Sequence, residues 1–191
     1  MVTFVIDNSV PITEIAIERK VGSDPFEEIA RIPVNSGTLT YTDTDVDVQS
    51  ESYIYRARVI DSCSNEGGVS NEAQTMLLRV QFDDVSKISY LNWSEYREFN
   101  GSIIGYNVYR GIDGVFGSSP IASLSSNRLS YEDDMNAIVS SGQICYYVEA
   151  IEATNVYNFS EISRSNEVCL VLPLDELTWF PEPEPSFERY R

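Results

Sequence analysis

The chain contains no histidine. It therefore has no imidazole base, no Ser/His/Asp or Cys/His nucleophile system and no His-containing metal site. Paired carboxylates alone can hydrolyse glycosides, but nothing in the spacing of the acidic residues marks a partner of raised pKa. No catalytic residue is assigned, the chain reads as not an enzyme, and no cofactor is expected. Basic residues are scarce as well: 13 Lys and Arg against 30 Asp and Glu leave a net charge of −17. Such a charge repels a phosphate backbone and an anionic membrane leaflet, so nucleic acid is excluded as a partner. Long apolar runs are missing too. None approaches the roughly 20 residues of a membrane span, so no membrane insertion is expected. The opening residues MVTFVIDNSVPI lack a basic n-region and a signal-peptide core. An exported chain that starts this way is expected to be part of a longer exported polypeptide.

What is present points to strands. Twelve Tyr and eight Phe, with many Val, Ile, Ser and Thr, suit half-buried pleated segments, and no stretch carries an apolar stripe at helical period. A length of 191 residues accommodates two domains of roughly 85 to 95 residues. Self-comparison shows a repeat at an offset of about 90 to 95 residues. EIAIERKVG (Glu14 to Gly22) aligns with GYNVYRGID (Gly105 to Asp113). LTYTDTD (Leu39 to Asp45) aligns with LSYEDDM (Leu129 to Met135), and SNEAQTM (Ser70 to Met76) with SNEVCLV (Ser165 to Val171). Between the last two segments each copy has an alternating strand, SYIYRARVID and QICYYVEAIE, aligned Tyr53 with Ile144. The alternation predicts Tyr53, Tyr55, Ala57 and Val59 inward in one copy and Ile144, Tyr146, Val148 and Ala150 in the other. A shift of one residue would bury Arg56 and Arg58, or Glu149, so the phase is well defined.

Both copies resemble fibronectin type III domains over about 170 residues. The strand with Trp93, the GYNVYRG strand, the LSYEDD edge, and the Tyr53-x-Tyr55-x-Ala57-x-Val59 strand followed by VSNEA correspond to the family's B, C, E, F and G strands. The resemblance implies an all-β fold of two tandem fibronectin type III-like, immunoglobulin-like β-sandwiches. Residues 1–79 are the first and 80–173 the second, joined around Leu77 to Asp83, with a Pro/Glu-rich tail over 174–191. Two departures stand out. Ile144 replaces the corner tyrosine that Tyr53 keeps, and the first copy has no room for strand A before Val2. Either that domain is incomplete at its amino terminus or another chain supplies the strand, which makes Val2 and Phe4 candidate partner contacts. More narrowly, ICYYVEAIE and SRSNEVCLVLP are similar to modules preceding the sorting domain of type IX-secreted, gliding-motility-associated surface proteins.

Cys145 and Cys169 fall on the F and G strands of the second copy in the same outward phase. A hairpin that places them opposite is centred on Tyr157, within the loop, so the reading pairs them as a disulfide. Such a bond implies an oxidising compartment and an extracellular or cell-surface location. Cys63 has no counterpart in the second copy and its partner stays open. Alternate carboxylates at Asp43, Asp45 and Asp47 are a calcium candidate, although the glycine and terminal Glu of an EF-hand loop are absent; no metal ligand is assigned beyond them. Tyr109 and Tyr147, outward in phase, form a candidate strip for a glycan or a protein. In the tail, FPEPEPSFERYR favours a stiff extended segment, and Trp179, Phe180, Phe187 and Tyr190 are candidate contacts with a neighbouring chain. The leading expectation is a non-catalytic structural or adhesive spacer in a secreted or surface assembly, its partners being neighbouring protein domains or chains. The alternatives are an accessory pair of a secreted carbohydrate-active enzyme, or a structural subunit of a virion or surface filament.

Overall fold

The computed structural model describes residues 2–6, 12–35, 37–97, 102–136, 142–154 and 162–172. Among these residues the regular structure is entirely antiparallel strand, and no helix occurs. The first half contains β1 (Val2–Val5), β2 (Ile12–Val21), β3 (Glu27–Pro33), β4 (Thr38–Tyr41), β5 (Tyr53–Asp61), β6 (Glu66–Val69) and β7 (Ala73–Gln74). The second contains β8 (Leu78–Asp83), β9 (Ile88–Trp93), β10 (Ile103–Ile112), β11 (Val115–Phe116), β12 (Ala122–Ser125), β13 (Ser130–Asp134), β14 (Gly142–Glu152), β15 (Ile162–Arg164) and β16 (Val168–Leu172).

In the second half β13, β9 and β8 form one sheet, and β12, β10, β14 and the β15/β16 pair form the other. In family terms this is E-B-A facing C′-C-F-G, a fibronectin type III-like sandwich. The first half repeats the larger sheet as β3-β2-β5 with β6 and β7, while its smaller sheet consists of β1 and β4. The described residues place no third strand beside β1, where the other copy has β8.

Each half has its own interior. One cluster gathers Phe4, Ile15, Ile17, Leu39, Tyr53, Tyr55 and Ala57, with Val59 partly buried against it. The other includes Leu91, Trp93, Tyr106, Val108, Ile144, Tyr146, Val148 and Ala150. The inward phase read from the two F strands is thus the phase that packs. Tyr53 makes the corner bond, its hydroxyl accepting the Asp47 amide at 2.8 Å. Ile144 fills the equivalent place as a fully buried apolar side chain.

The join between the halves lies earlier than expected. β8 pairs along its whole length with β9, and Met76 and Leu78 pack in the second cluster. A boundary between 79 and 80 would cut that strand, so the crossing falls at Gln74 to Leu77. The cause is the run Met76-Leu77-Leu78, which is apolar without interruption and is buried throughout.

Candidate functional site

Three arrangements go beyond core packing. The first is a polar clasp between the two sheets that occurs once in each sandwich. Arg19 on β2 donates to Asp43, just past β4, at 2.8 Å, and Tyr55 on β5 donates to the same carboxylate oxygen at 2.9 Å. In the second copy Arg110 on β10 donates to both Asp133 oxygens at 2.8 and 2.7 Å, and Tyr146 on β14 donates to Asp133 at 2.8 Å. Both aspartates keep only 6% of their side-chain surface exposed. Burial opposes the charged form of Asp43, but bonds from Arg19, Tyr55 and the Asp45 amide outweigh it and hold the carboxyl below its usual range. Burial, reinforced by the neighbouring carboxylates, pushes the Tyr55 and Tyr146 hydroxyls far above that of a free phenol. The sequence places Tyr55 and Tyr146 inward and offers Asp43 as a calcium ligand, but it does not join these six residues into clasps, although each pair stands in aligned columns of the repeat.

The second arrangement is the outward face of each larger sheet, where equivalent positions carry different chemistry. On the first sandwich Glu18 is gripped by Arg56 and Arg58, the latter at 2.8 Å. Burial alone would raise the Glu18 pKa, but the bonds from Arg58 and Arg56 outweigh it and lower it. Phe26 lies under both Arg56 and Lys20, whose charged groups stand 3.8 and 4.5 Å from its ring centre. On the second sandwich these places hold Tyr109, Tyr147 and Phe116. Tyr109 and Tyr147 are directly opposite in the ladder and stack at 4.7 Å and 13°. Phe116 leans on Tyr147 at 4.8 Å, and Arg164 sits 3.5 Å above the Tyr147 ring. Phe116 also lies flat over Gly111, where an added Cβ would come within 3.0 Å of its ring. Tyr147 is accordingly only 9% exposed. Tyr147 is therefore not part of an open strip, because Tyr109, Phe116 and Arg164 cover it, while Tyr109 stays half-buried.

The third arrangement is the junction. Gln74 on β7 and Arg97 exchange backbone hydrogen bonds at 2.6 and 3.2 Å, which ties the last strand of the first sandwich to a loop of the second. The Leu77 amide donates to Ser94 Oγ at 2.9 Å, and the Ser94 amide donates back to Leu77 O at 3.0 Å. Asn166 then does the work of a strand partner. Its Oδ1 accepts the Leu78 amide at 2.7 Å, and its Nδ2 donates to Leu78 O and to Gln49 Oε1, each at 3.1 Å. Gln49 belongs to the first sandwich, so one buried amide holds the entering strand and the preceding domain together. Arg79 adds a longer contact to Ser50 O at 3.4 Å.

The remaining sequence candidates are placed as follows. Cys145 and Cys169 are partners in the β14–β16 register and are joined by a disulfide, with Cα atoms 4.0 Å apart. Cys63 is a free, exposed thiol in the turn that Asp61 caps. The calcium candidates do not converge. Asp43 serves the clasp and the Asp45 amide, and Asp47 Oδ1 accepts the Gln49 amide at 3.0 Å. Phe4 is not a surface contact, since it is 4% exposed within the first core. Its place on the strand points it at the opposite sheet whatever lies beside β1. Val2 pairs with Tyr41 on β4. Trp179, Phe180, Phe187 and Tyr190 lie outside the described residues.

No family model matches the chain, and no curated protein matches it. Solved structures do. Pectate lyase Pel3 from Pectobacterium carotovorum is 22% identical with a TM-score of 0.39, over 53% of this chain and 28% of that one. Pectate lyase PelI from Erwinia chrysanthemi, in complex with tetragalacturonic acid, is 22% identical with a TM-score of 0.34, over 50% and 27%. The FN1-FN3 domains of chicken CNTN1 are 14% identical with a TM-score of 0.38, over 83% and 56%. The chain thus spans little more than a quarter of each lyase and about half of the CNTN1 chain. At these identities the likeness concerns fold alone. The strand order defines the class by itself, an all-β chain of fibronectin type III-like sandwiches.

Proposed function

We propose that the chain is a non-catalytic spacer that holds two sandwiches, and whatever adjoins them, at a fixed relative orientation in a secreted or cell-surface assembly. The observation that carries this reading is the junction, where Asn166 binds both the entering strand and Gln49 of the preceding domain. Inter-domain contacts within one chain commonly permit relative motion unless the interface is extensive. Here three backbone bonds, the Ser94 hydroxyl and one buried amide side chain act on a crossing of a few residues. The disulfide supports an oxidising compartment. The likeness of ICYYVEAIE and SRSNEVCLVLP to modules beside type IX sorting domains supports placement on an exported surface protein, with neighbouring protein domains as partners. Backbone 15N relaxation tests the reading. A single rotational correlation time for both sandwiches is expected, and two independent, shorter times would overturn it.

A further inference from the structure

We propose that Cys145, Cys169 and Glu167 form a binding site for a thiophilic divalent cation such as Zn2+ once their disulfide is reduced, so that the disulfide and the metal are alternative states of one locus. One ligand atom from each of the three residues lies within 4.8 Å of the other two. Two thiolates and a carboxylate suit Zn2+, which takes sulfur at about 2.3 Å and oxygen at about 2.0–2.2 Å and leaves a fourth position for water. A tetrahedron with arms of that length has edges of about 3.5–3.8 Å. Cys169 Sγ and Glu167 Oε1 already stand 3.6 Å apart.

The carboxylate is also held from behind. Arg164 donates to Glu167 Oε2 at 2.8 Å, the other oxygen of the same carboxylate, and rests on the Tyr147 ring at 3.5 Å. An oxygen oriented by a second group is what a metal ligand requires, and such supports commonly change affinity 10- to 100-fold. The stacked aromatics of this face thereby have a task, fixing the arginine that aims the ligand. Cys145 is nearly fully buried while Cys169 is exposed, so a cation can approach from the solvent side.

The chemistry balances with a dithiol as reductant. It donates two electrons and two protons to the Cys145–Cys169 bond and closes to its own disulfide, leaving two thiols. Metal binding then releases both thiol protons to solvent. Cobalt(II) is the test probe, added to the reduced full chain in a Cys63→Ser background to remove the third thiol. A thiolate-to-cobalt charge-transfer band with one metal per chain is expected, displaced by Zn2+ and absent from the oxidised protein. Glu167→Gln is expected to weaken binding about tenfold. The proposal is overturned if the reduced Cys63→Ser chain shows no such band, folded or unfolded, or if adding Cys169→Ser leaves the band unchanged. A second measurement uses the unmodified chain. Zn2+ is expected to slow reoxidation of the reduced protein by oxidised glutathione several-fold, and equal rates with and without the metal would also overturn it.

Discussion

Removing one carboxylate from the second clasp should cost more than any other single polar change in that domain. Asp133→Ala deletes the acceptor for two Arg110 bonds and for the Tyr146 hydroxyl. It leaves a guanidinium with 17% of its side-chain surface exposed and a buried phenol without their main partner. Breaking a buried pair in this way costs about 3–5 kcal/mol, because the surviving charge loses compensation while staying desolvated. A typical domain has only about 5–15 kcal/mol to lose. The assay is urea unfolding followed through amide resonances of the two halves separately. The second half should unfold at markedly lower urea, with the first little changed. The triple replacement Arg110→Met, Asp133→Leu, Tyr146→Phe should recover much of the loss, since an apolar set leaves no orphaned charge. A single-mutant loss below about 1 kcal/mol, the value of an exposed pair, would refute the reasoning, as would a triple mutant whose loss equals the sum of its parts.

Three further outcomes follow from the same contacts. The folded pKa of Asp43 lies below its unfolded value, so its contribution is complete above about pH 4 and disappears as pH falls through the lower, folded value. Acid titration of the first half should therefore show a stability loss that Asp43→Asn makes smaller without abolishing it, because the Glu18 carboxyl is lowered as well; a loss of equal size in the variant would contradict the assignment. Asn166→Ala strips both backbone bonds from Leu78 and should cost about 2–4 kcal/mol, read as a lowered urea midpoint with selective broadening of resonances at 74–79. Opening the Cys145–Cys169 bond, which spans 24 residues, should lower the stability of the second half by about 3 kcal/mol in the chain-entropy account, measured by calorimetry with and without a phosphine reductant.

The legible part of this fold was written in period two. Alternation in β5 and β14 located both cores because a one-residue slip would have buried Arg56, Arg58 or Glu149. The cysteine pairing was legible for a related reason, since equal phase and a central loop put Cys145 opposite Cys169. The clasps escaped notice because Arg, Asp and Tyr are each ordinary on these strands. Only the folding of two sheets face to face brings residues 19, 43 and 55, or 110, 133 and 146, to one point. Two expectations about exposed surface fail, one drawn from phase and one from the missing strand A. Tyr147 points outward yet is covered, because Arg164 and Phe116 come from neighbouring strands whose reach alternation does not encode. The missing strand A suggests an open edge at Phe4, but a strand's inward residues pack on the opposite sheet with or without a lateral neighbour. The run Asp43, Asp45, Asp47 looks convergent because an extended chain would align those side chains, whereas the chain turns there, with the Asp43 carboxylate taking the Asp45 amide and the Asp47 carboxylate the Gln49 amide.

The most direct test of a fixed two-sandwich spacer is the distance distribution between spin labels on exposed turns of the two halves, at Ser23 and Val85, measured by double electron–electron resonance in the Cys63→Ser background. The junction built on Asn166 predicts one narrow peak that broadens in Asn166→Ala. A broad distribution in the parent chain, unchanged by that substitution, would contradict it.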